Sequence, residues 1–275
     1  MINKKFSYAA AEIRKLTIGA MAAAGYGHIG GSMSICDLLA VLYEGVLNID
    51  PKNPKKADRD YVILSKGHCG PALYAALAYK GYFKKEELLQ LNKNGTKLPS
   101  HCDRLKTVGV DISTGSLGQG VSLGMGVALG NTIQGIDSYS YIIIGDGEMQ
   151  EGQVWEGIQF MAHHNLYNAI VLIDNNKRQL DGTTEEICKQ YDLKAKLEAF
   201  GINTYRVNGH NTDEIFNALV SAKASKKPSA IILDTDKGHG CNFAEIKGFN
   251  HYMVISPEMA KSAIDEIDRR LEELL

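Results

Sequence analysis

Short unbroken apolar runs alternate along the chain with longer stretches in which apolar residues recur every three or four positions. The runs Tyr61–Leu64, Tyr141–Ile144, Ala169–Ile173 and Ala230–Asp234 have the length of buried strands, and Asn203–Val207 reads as another. The periodic stretches predict helices over Ser7–Ala24, Ile35–Leu47, Pro71–Tyr79, Val121–Ile133 and Lys194–Phe200. In the first, Ile13, Leu16, Thr17 and Ala20 share a face and Gly25 is a natural stop. Lys84–Leu91 is a further helical candidate. Asn211 with Glu214 marks a helix start, as does Ser256-Pro257-Glu258, whose helix should run nearly to Leu275. Between these elements, Gly25–Ser32, Pro51–Arg59, Asn92–Asp111 and Lys177–Tyr191 read as loops, and another opens at Lys237 and carries His251. Alternating strands and helices without repeat or linker predict one doubly wound parallel α/β domain over residues 1–275, with helices on both faces of the sheet. The helix-rich N-terminal third is an elaboration on it.

Chemistry concentrates between Tyr141 and Asn176. The first apolar run there ends in Gly145-Asp146-Gly147, the second in Asp174-Asn175-Asn176, and an amphipathic segment joins them. A βαβ unit of this kind sets both polar clusters just past the carboxyl ends of parallel strands, where open α/β sheets bind ligands. Asp146 supplies a charged oxygen, Asn176 a neutral one, and a backbone carbonyl after Asn176 a third. That set suits a Mg²⁺ that keeps its remaining positions for phosphate oxygens and water. Gly145 and Gly147 let the backbone approach an anionic group with no Cβ in the way. Taken alone, Gly-Asp-Gly is equally a tight turn.

Composition narrows the function classes. A hydrophobic share of 44% and a charged share of 23% are ordinary for a soluble globular chain, and a net charge of −2 points to no nucleic-acid partner. No apolar run approaches the ~20 residues that span a bilayer. Glu12, Arg14 and Lys15 interrupt the N-terminus, which does not read as a secretory signal. Five cysteines, scattered and odd in number, look like reduced thiols of a cytoplasmic protein, not a disulfide frame or a zinc site.

His28, His68, His101 and His251 each fall in a predicted loop. A lone loop histidine is more often solvated than functional, but in a doubly wound domain such loops can converge on one sheet edge. Neutral imidazoles gathered there could hydrogen-bond a hydroxylated substrate and the oxygens of a diphosphate. His163 and His164, within the helical segment after Trp155, read as structural. Glu148 reads as an acid of a first helical turn, favoured by the helix dipole, and Glu151 is less easily dismissed as one.

Together these residues resemble the thiamine-diphosphate-binding half of transketolases. Gly145-Asp146-Gly147 and Asn176 match the family's cofactor and metal signature. GYGHIGGS, LSKGHCGPALY and LPSHCD stand where its histidine loops fall. DISTGSLGQGVSLGMGVALG and GDGEMQEGQVWEGIQFMAHHNLYNAIVLIDNNKRQLDG are its most specific segments, and the similar motifs run in family order from about residue 8 to residue 255. The resemblance implies thiamine diphosphate with Mg²⁺ or another divalent cation as cofactors. It implies that Asp146, Asn176 and the Arg178 carbonyl hold the cation. His68, Gly115, Ser116, Leu117, Gly145, Asp146, Gly147, Asn176 and His251 would contact the cofactor. His28 and His101 would line the channel over the thiazolium, with His68 and His251 also serving the substrate. Glu151 would sit at the subunit interface, near the cofactor-activating glutamate of another domain.

That glutamate belongs to a pyrimidine-binding domain, which no stretch after Leu233 is long enough to form. The resemblance therefore implies the N-terminal subunit of a split transketolase, inactive alone. Its partner would carry the pyrimidine-binding and C-terminal domains, and two copies of each chain would form a heterotetramer. The implied reaction moves a two-carbon ketol unit from a ketose, usually a phosphate ester of the pentose phosphate pathway, to an aldose. The rival readings are a specialised two-subunit enzyme for a branched or sulfonated sugar and a non-catalytic scaffold. Departures from the family pattern at Cys102-Asp103-Arg104 and at Tyr252-Met253 border the substrate channel and bear on the choice of sugar, whereas Arg178-Gln179 departs after the metal asparagine, where the cation site would use only the Arg178 carbonyl.

Overall fold

Each central strand carries an unbroken apolar run, as a sheet buried on both faces requires, with polar residues at its ends. The computed structural model describes residues 4–245 and 248–274. The chain begins with α1 (Lys4–Ala24), β1 (Tyr26–Gly27), α2 (Ile29–Met33) and α3 (Cys36–Val41), which passes into a π-helical turn over Leu42–Val46. β2 (Tyr61–Leu64), α4 (Gly70–Lys80), α5 (Gln119–Gln134) and β3 (Ser140–Gly145) follow. Next come α6 (Gly152–His163), β4 (Ala169–Asn175), α7 (Thr184–Ile187) and α8 (Leu193–Ala199). The chain closes with β5 (Asn203–Asn208), α9 (Thr212–Ser225), β6 (Ser229–Asp234), β7 (Met253–Val254) and α10 (Pro257–Leu274).

Five strands form one parallel sheet in the order β2-β3-β4-β6-β5. Successive residues of the central strands feed opposite cores. Tyr141, Ile143, Ile170, Leu172, Ile231 and Leu233 join the core shared with α1, α3, α4, α9 and α10. Ile142, Ile144, Val171, Ile173, Ala230 and Ile232 join the one shared with α5, α6 and α8. The N-terminal helices thus supply most of one covering layer, with α1 packed on α3, α4 and α10.

The predicted elements differ from the observed ones mainly at their ends. Lys85–Gln90 is a 3₁₀ turn, and the loop after Asn176 contains the single-turn α7, capped by Thr183 and Glu186. The segment Gly25–Ser32, expected as a loop, contains β1 and the start of α2. Two-residue β1 pairs antiparallel with β7, Tyr26 opposite Val254 and Gly27 opposite Met253; a ladder that short leaves no periodicity in a sequence. The stretch Ile29–Val46 is long and apolar enough to pass as a membrane span, contrary to the sequence expectation, but 83% of it is buried in the core. Its apolarity is that of a core helix.

Candidate active site

Parallel pairing sets the carboxyl ends of β2, β3 and β4 side by side, with Gly145 opposite Asp174 in the register. The loop after β2 carries Lys66 and His68, the turn after β3 carries Asp146, and Asn176 follows β4. His28 lies between β1 and α2, and the β1–β7 ladder holds it beside His251. The Gly30 N–H adds a bond of 3.1 Å to the Asn250 carbonyl. The long loop of residues 92–111 delivers His101, anchored where Thr114 N donates to the Cys102 carbonyl at 3.0 Å. The ring centre of His28 is 5.3 Å from His68, 5.7 Å from His101 and 5.3 Å from His251. His68 and His251 are 4.9 Å apart.

The four rings border a cavity of about 340 Å³ whose lining includes Gly115, Leu117, Gly145, Asp146, Gly147, Asn176 and Arg178. Glycine at position 67 is a steric requirement, because a Cβ there would lie 2.6 Å from the Thr114 carbonyl carbon. Ser116 is exposed and outside this lining, so of its segment only Gly115 and Leu117 face the cavity. Glu151 lies at the exposed rim, where it precedes α6. His163 and His164 lie at the far end of α6, away from the cavity.

Burial sets the protonation of the histidines. It lowers His28 to about 4, helped by His101 and Lys237, and His251 to about 3, helped by Lys237. His68 is held well below its ordinary value and His101 is lowered, both first by burial. All four are neutral imidazoles near pH 7. Lys237 Nζ lies 3.2 Å from His251 Nδ1, so that nitrogen accepts and the ring's own proton sits on Nε2. Lys237 itself is lowered to about 8 by burial. It supplies a cation facing the cavity.

An unfolded histidine titrates near 6.5, so between pH 6.5 and about 4 the unfolded chain binds protons that native His28 does not. Stability is therefore expected to fall as pH drops through that window, with the loss complete below the native value. His28→Gln should flatten the slope of thermal midpoint against pH. An unchanged slope would refute the assignment of His28 as buried and neutral.

The oxygen donors suit a hard cation. Asp146 is buried, and its carboxyl is pushed up to about 7, first by burial and then by the charge of Asp174. A buried acid in that state is one that a divalent ion would return to its charged form. Asn176 Nδ2 donates to Asp174 Oδ2 at 2.8 Å, and its Oδ1 accepts from Arg178 N at 3.1 Å. Carboxylate, amide oxygen and the Arg178 carbonyl are the ligand types Mg²⁺ prefers. With Lys237 and glycine-lined backbone beside them, these residues fit a diphosphate bridged by such an ion.

Sequence reasoning misses several residues here. Glu148 is no helix-dipole acid: it lies in a 3₁₀ turn, accepts from Ser65 Oγ, and ties Gly118 N at 2.7 Å and Gly145 N at 3.1 Å. It thereby clips the 115–118 loop to the Asp146 turn, and Gly118 takes a φ of +84° that favours glycine. Lys66 is buried against Asp174, and Lys237 reads in sequence only as part of a polar loop. The motif SKGH could have flagged Lys66 as a cation next to a site histidine. Tyr252 sets its ring 5.0 Å from His28.

Among the described residues, one His/Asp cluster has metal-like spacing, and it lies elsewhere: Asp37, His210 and His239. Arg14 already bonds Asp37 there, and His210 uses Nδ1 toward Asp37 at 3.0 Å and Nε2 as acceptor of Asp236 N at 2.8 Å. The two imidazoles stack at 3.6 Å and 18°, which points their lone pairs along parallel planes, not at a common ion. The cluster reads as a packed charge network.

Residues 6–255 match the transketolase thiamine diphosphate binding domain. The chain is 50% identical over 258 residues to the 6-deoxy-6-sulfo-D-fructose transketolase subunit SqwG of Clostridium sp. (strain MSTE9), covering 94% of each chain. It is 34% identical over 249 residues to one of the subunits of the apulose-4-phosphate transketolase of Phocaeicola vulgatus, covering 90% of this chain and 88% of that one. The transketolase of Campylobacter jejuni superposes with a TM-score of 0.91 at 31% identity, over 98% of this chain and 43% of that one.

Proposed function

Because the chain belongs to the transketolase family, as its thiamine diphosphate binding domain over residues 6–255, we propose that it is the cofactor-anchoring subunit of a two-chain transketolase acting on a specialised, sulfonated ketose. The observation that carries the reaction class is the convergence of four neutral histidines above Asp146 and Asn176 in one cavity. For the sugar, the support is 50% identity, over 94% of each chain, to a subunit of a transketolase for a sulfonated fructose.

In this reading Asp146, Asn176 and the Arg178 carbonyl would hold the divalent cation, and Lys237, His68, Gly115, Leu117 and Gly147, which line the same cavity, would take the diphosphate. Thiamine diphosphate, when bound, supplies an electron sink for the carbon–carbon bond that is broken. The chain's own residues do the rest. His28, His101 and His251 bond the sugar hydroxyls and fix the bond to be cleaved against the reacting carbon. Cleavage releases a hydroxyl proton, and a neutral imidazole nitrogen of His28 or His101 can take it because burial has kept the ring uncharged. The same group returns the proton when the acceptor aldose adds.

The partner would supply the pyrimidine side of the cofactor. Apolar residues left exposed on α5 and α6, Leu123, Ile133 and Phe160, suit a protein surface there, and Glu151 lies next to that face. Co-purification from the native source is expected to recover a second subunit, and the pair to turn over a 6-sulfonated ketohexose with kcat/KM at least tenfold above the 6-phosphate. Preference for the phosphate would return the enzyme to the general class. An inactive but cofactor-loaded pair would leave a scaffold.

A further inference from the structure

We infer that Asp174 is the positioning residue of this site: one buried carboxylate that fixes the Asn176 amide and three of the ligand-bearing loops at once. The inference rests on the reading that Asp146 and Asn176 hold the cation.

Asp174 is fully buried and lies at the carboxyl end of β4, opposite Gly145. Its Oδ2 accepts from Lys66 Nζ at 2.5 Å, Ser34 Oγ at 2.7 Å and Asn176 Nδ2 at 2.8 Å, and its Oδ1 from Thr235 Oγ1. The donors come from four separate segments. Ser34 follows the helix that begins beside His28, Lys66 stands two residues before His68, and Thr235 stands two residues before Lys237. Lys66 extends the network by donating to the Gly31 carbonyl at 2.9 Å. Asn176 is the informative member. Its amide has two ends, and a carboxylate can only accept, so Nδ2 must face Asp174 and Oδ1 must face the other way, toward Arg178 N. An amide at position 174 accepts through one atom only and carries no charge to hold Lys66 in place. The Asn176 amide then loses the group that decides which of its ends faces the cation site.

Removing one partner of a buried pair also destabilises a protein, so stability and positioning must be separated. Three variants of the purified two-subunit complex do this: Asp174→Asn, Lys66→Met, and the double variant. Mg²⁺ and thiamine diphosphate are titrated together by calorimetry, and the thermal midpoint is measured without them. Asp174→Asn is expected to lower the midpoint and weaken cofactor binding at least tenfold. The double variant, which leaves no unpaired buried charge, is expected to recover midpoint over Asp174→Asn while its affinity stays at least tenfold weak. Affinity that returns together with the midpoint would show that Asp174 acts through stability alone and would overturn the inference. So would Asp174→Asn binding as tightly as the unaltered complex while Asp146→Ala does not bind. If Asp146→Ala binds as well as the unaltered complex, the cation assignment itself has failed, an outcome distinct from both.

Discussion

Replacing Asp146 with alanine is expected to leave a folded chain that no longer retains Mg²⁺ or thiamine diphosphate, even in complex with its partner subunit. The carboxylate is the one charged oxygen in the proposed donor set, and Asn176 and a carbonyl cannot replace it for a hard divalent ion. Activity should fall to background with it. Stability should not follow, and the direction is diagnostic. A buried acid raised to about 7 is held against its preference in the cofactor-free protein, so its removal relieves a desolvation penalty while freeing the Gly147 and Lys177 N–H groups it accepts from. These terms offset, and the cofactor-free stability should lie within about 1 kcal/mol of the original. Metal analysis and cofactor content of the purified complex provide the check. A cofactor-loaded, active Asp146→Ala complex would sink the metal assignment.

A stability loss of about 3–5 kcal/mol is expected for Asp37→Ala, the cost of leaving one member of a buried ion pair without its partner. Arg14 and Asp37 are both buried. Arg14 beside Asp37 holds that carboxyl far below the usual range against the burial that opposes it. The loss extends to His210, whose Nδ1 donates to the same oxygen, and through it to Asp236. Because the folded value of Asp37 is depressed, its stabilising contribution is present above the ordinary carboxylate range and fades as pH falls below it. Chelator should leave the thermal midpoint of the native chain unchanged at this cluster. A fall in midpoint on chelation that Asp37→Ala abolishes would show that the cluster is a metal centre after all.

Much of the fold is legible in the sequence. Strands buried on both faces show as unbroken apolar runs, so β2, β3, β4 and β6 can be read to within two residues at each end. The capping residues Asn211 and Ser256 act where they are expected, Asn211 Oδ1 accepting from Asp213 and Glu214 and Ser256 Oγ from Met259. Glu148 is the counter-example, because position in sequence says only that an acid follows a turn. Its three hydrogen-bond partners come from residues 65, 118 and 145, and no local pattern reports partners that far apart.

What the sequence determined by itself, then, was everything carried by short-range order. That includes the alternating elements, the parallel sheet they imply, the placing of Asp146 and Asn176 past strand ends, and the motifs that mark the family. The tertiary structure alone decided which loops meet. The two-residue β1–β7 ladder brings His28 to His251, Lys237 turns its ammonium on His251, Tyr252 packs against His28, and Asp174 gathers donors from four segments. The physical reason is the same in each case. Periodicity and capping are energies between neighbours in the chain, whereas a buried charge selects its partners by distance in space. The two coincide only where the fold has brought them together.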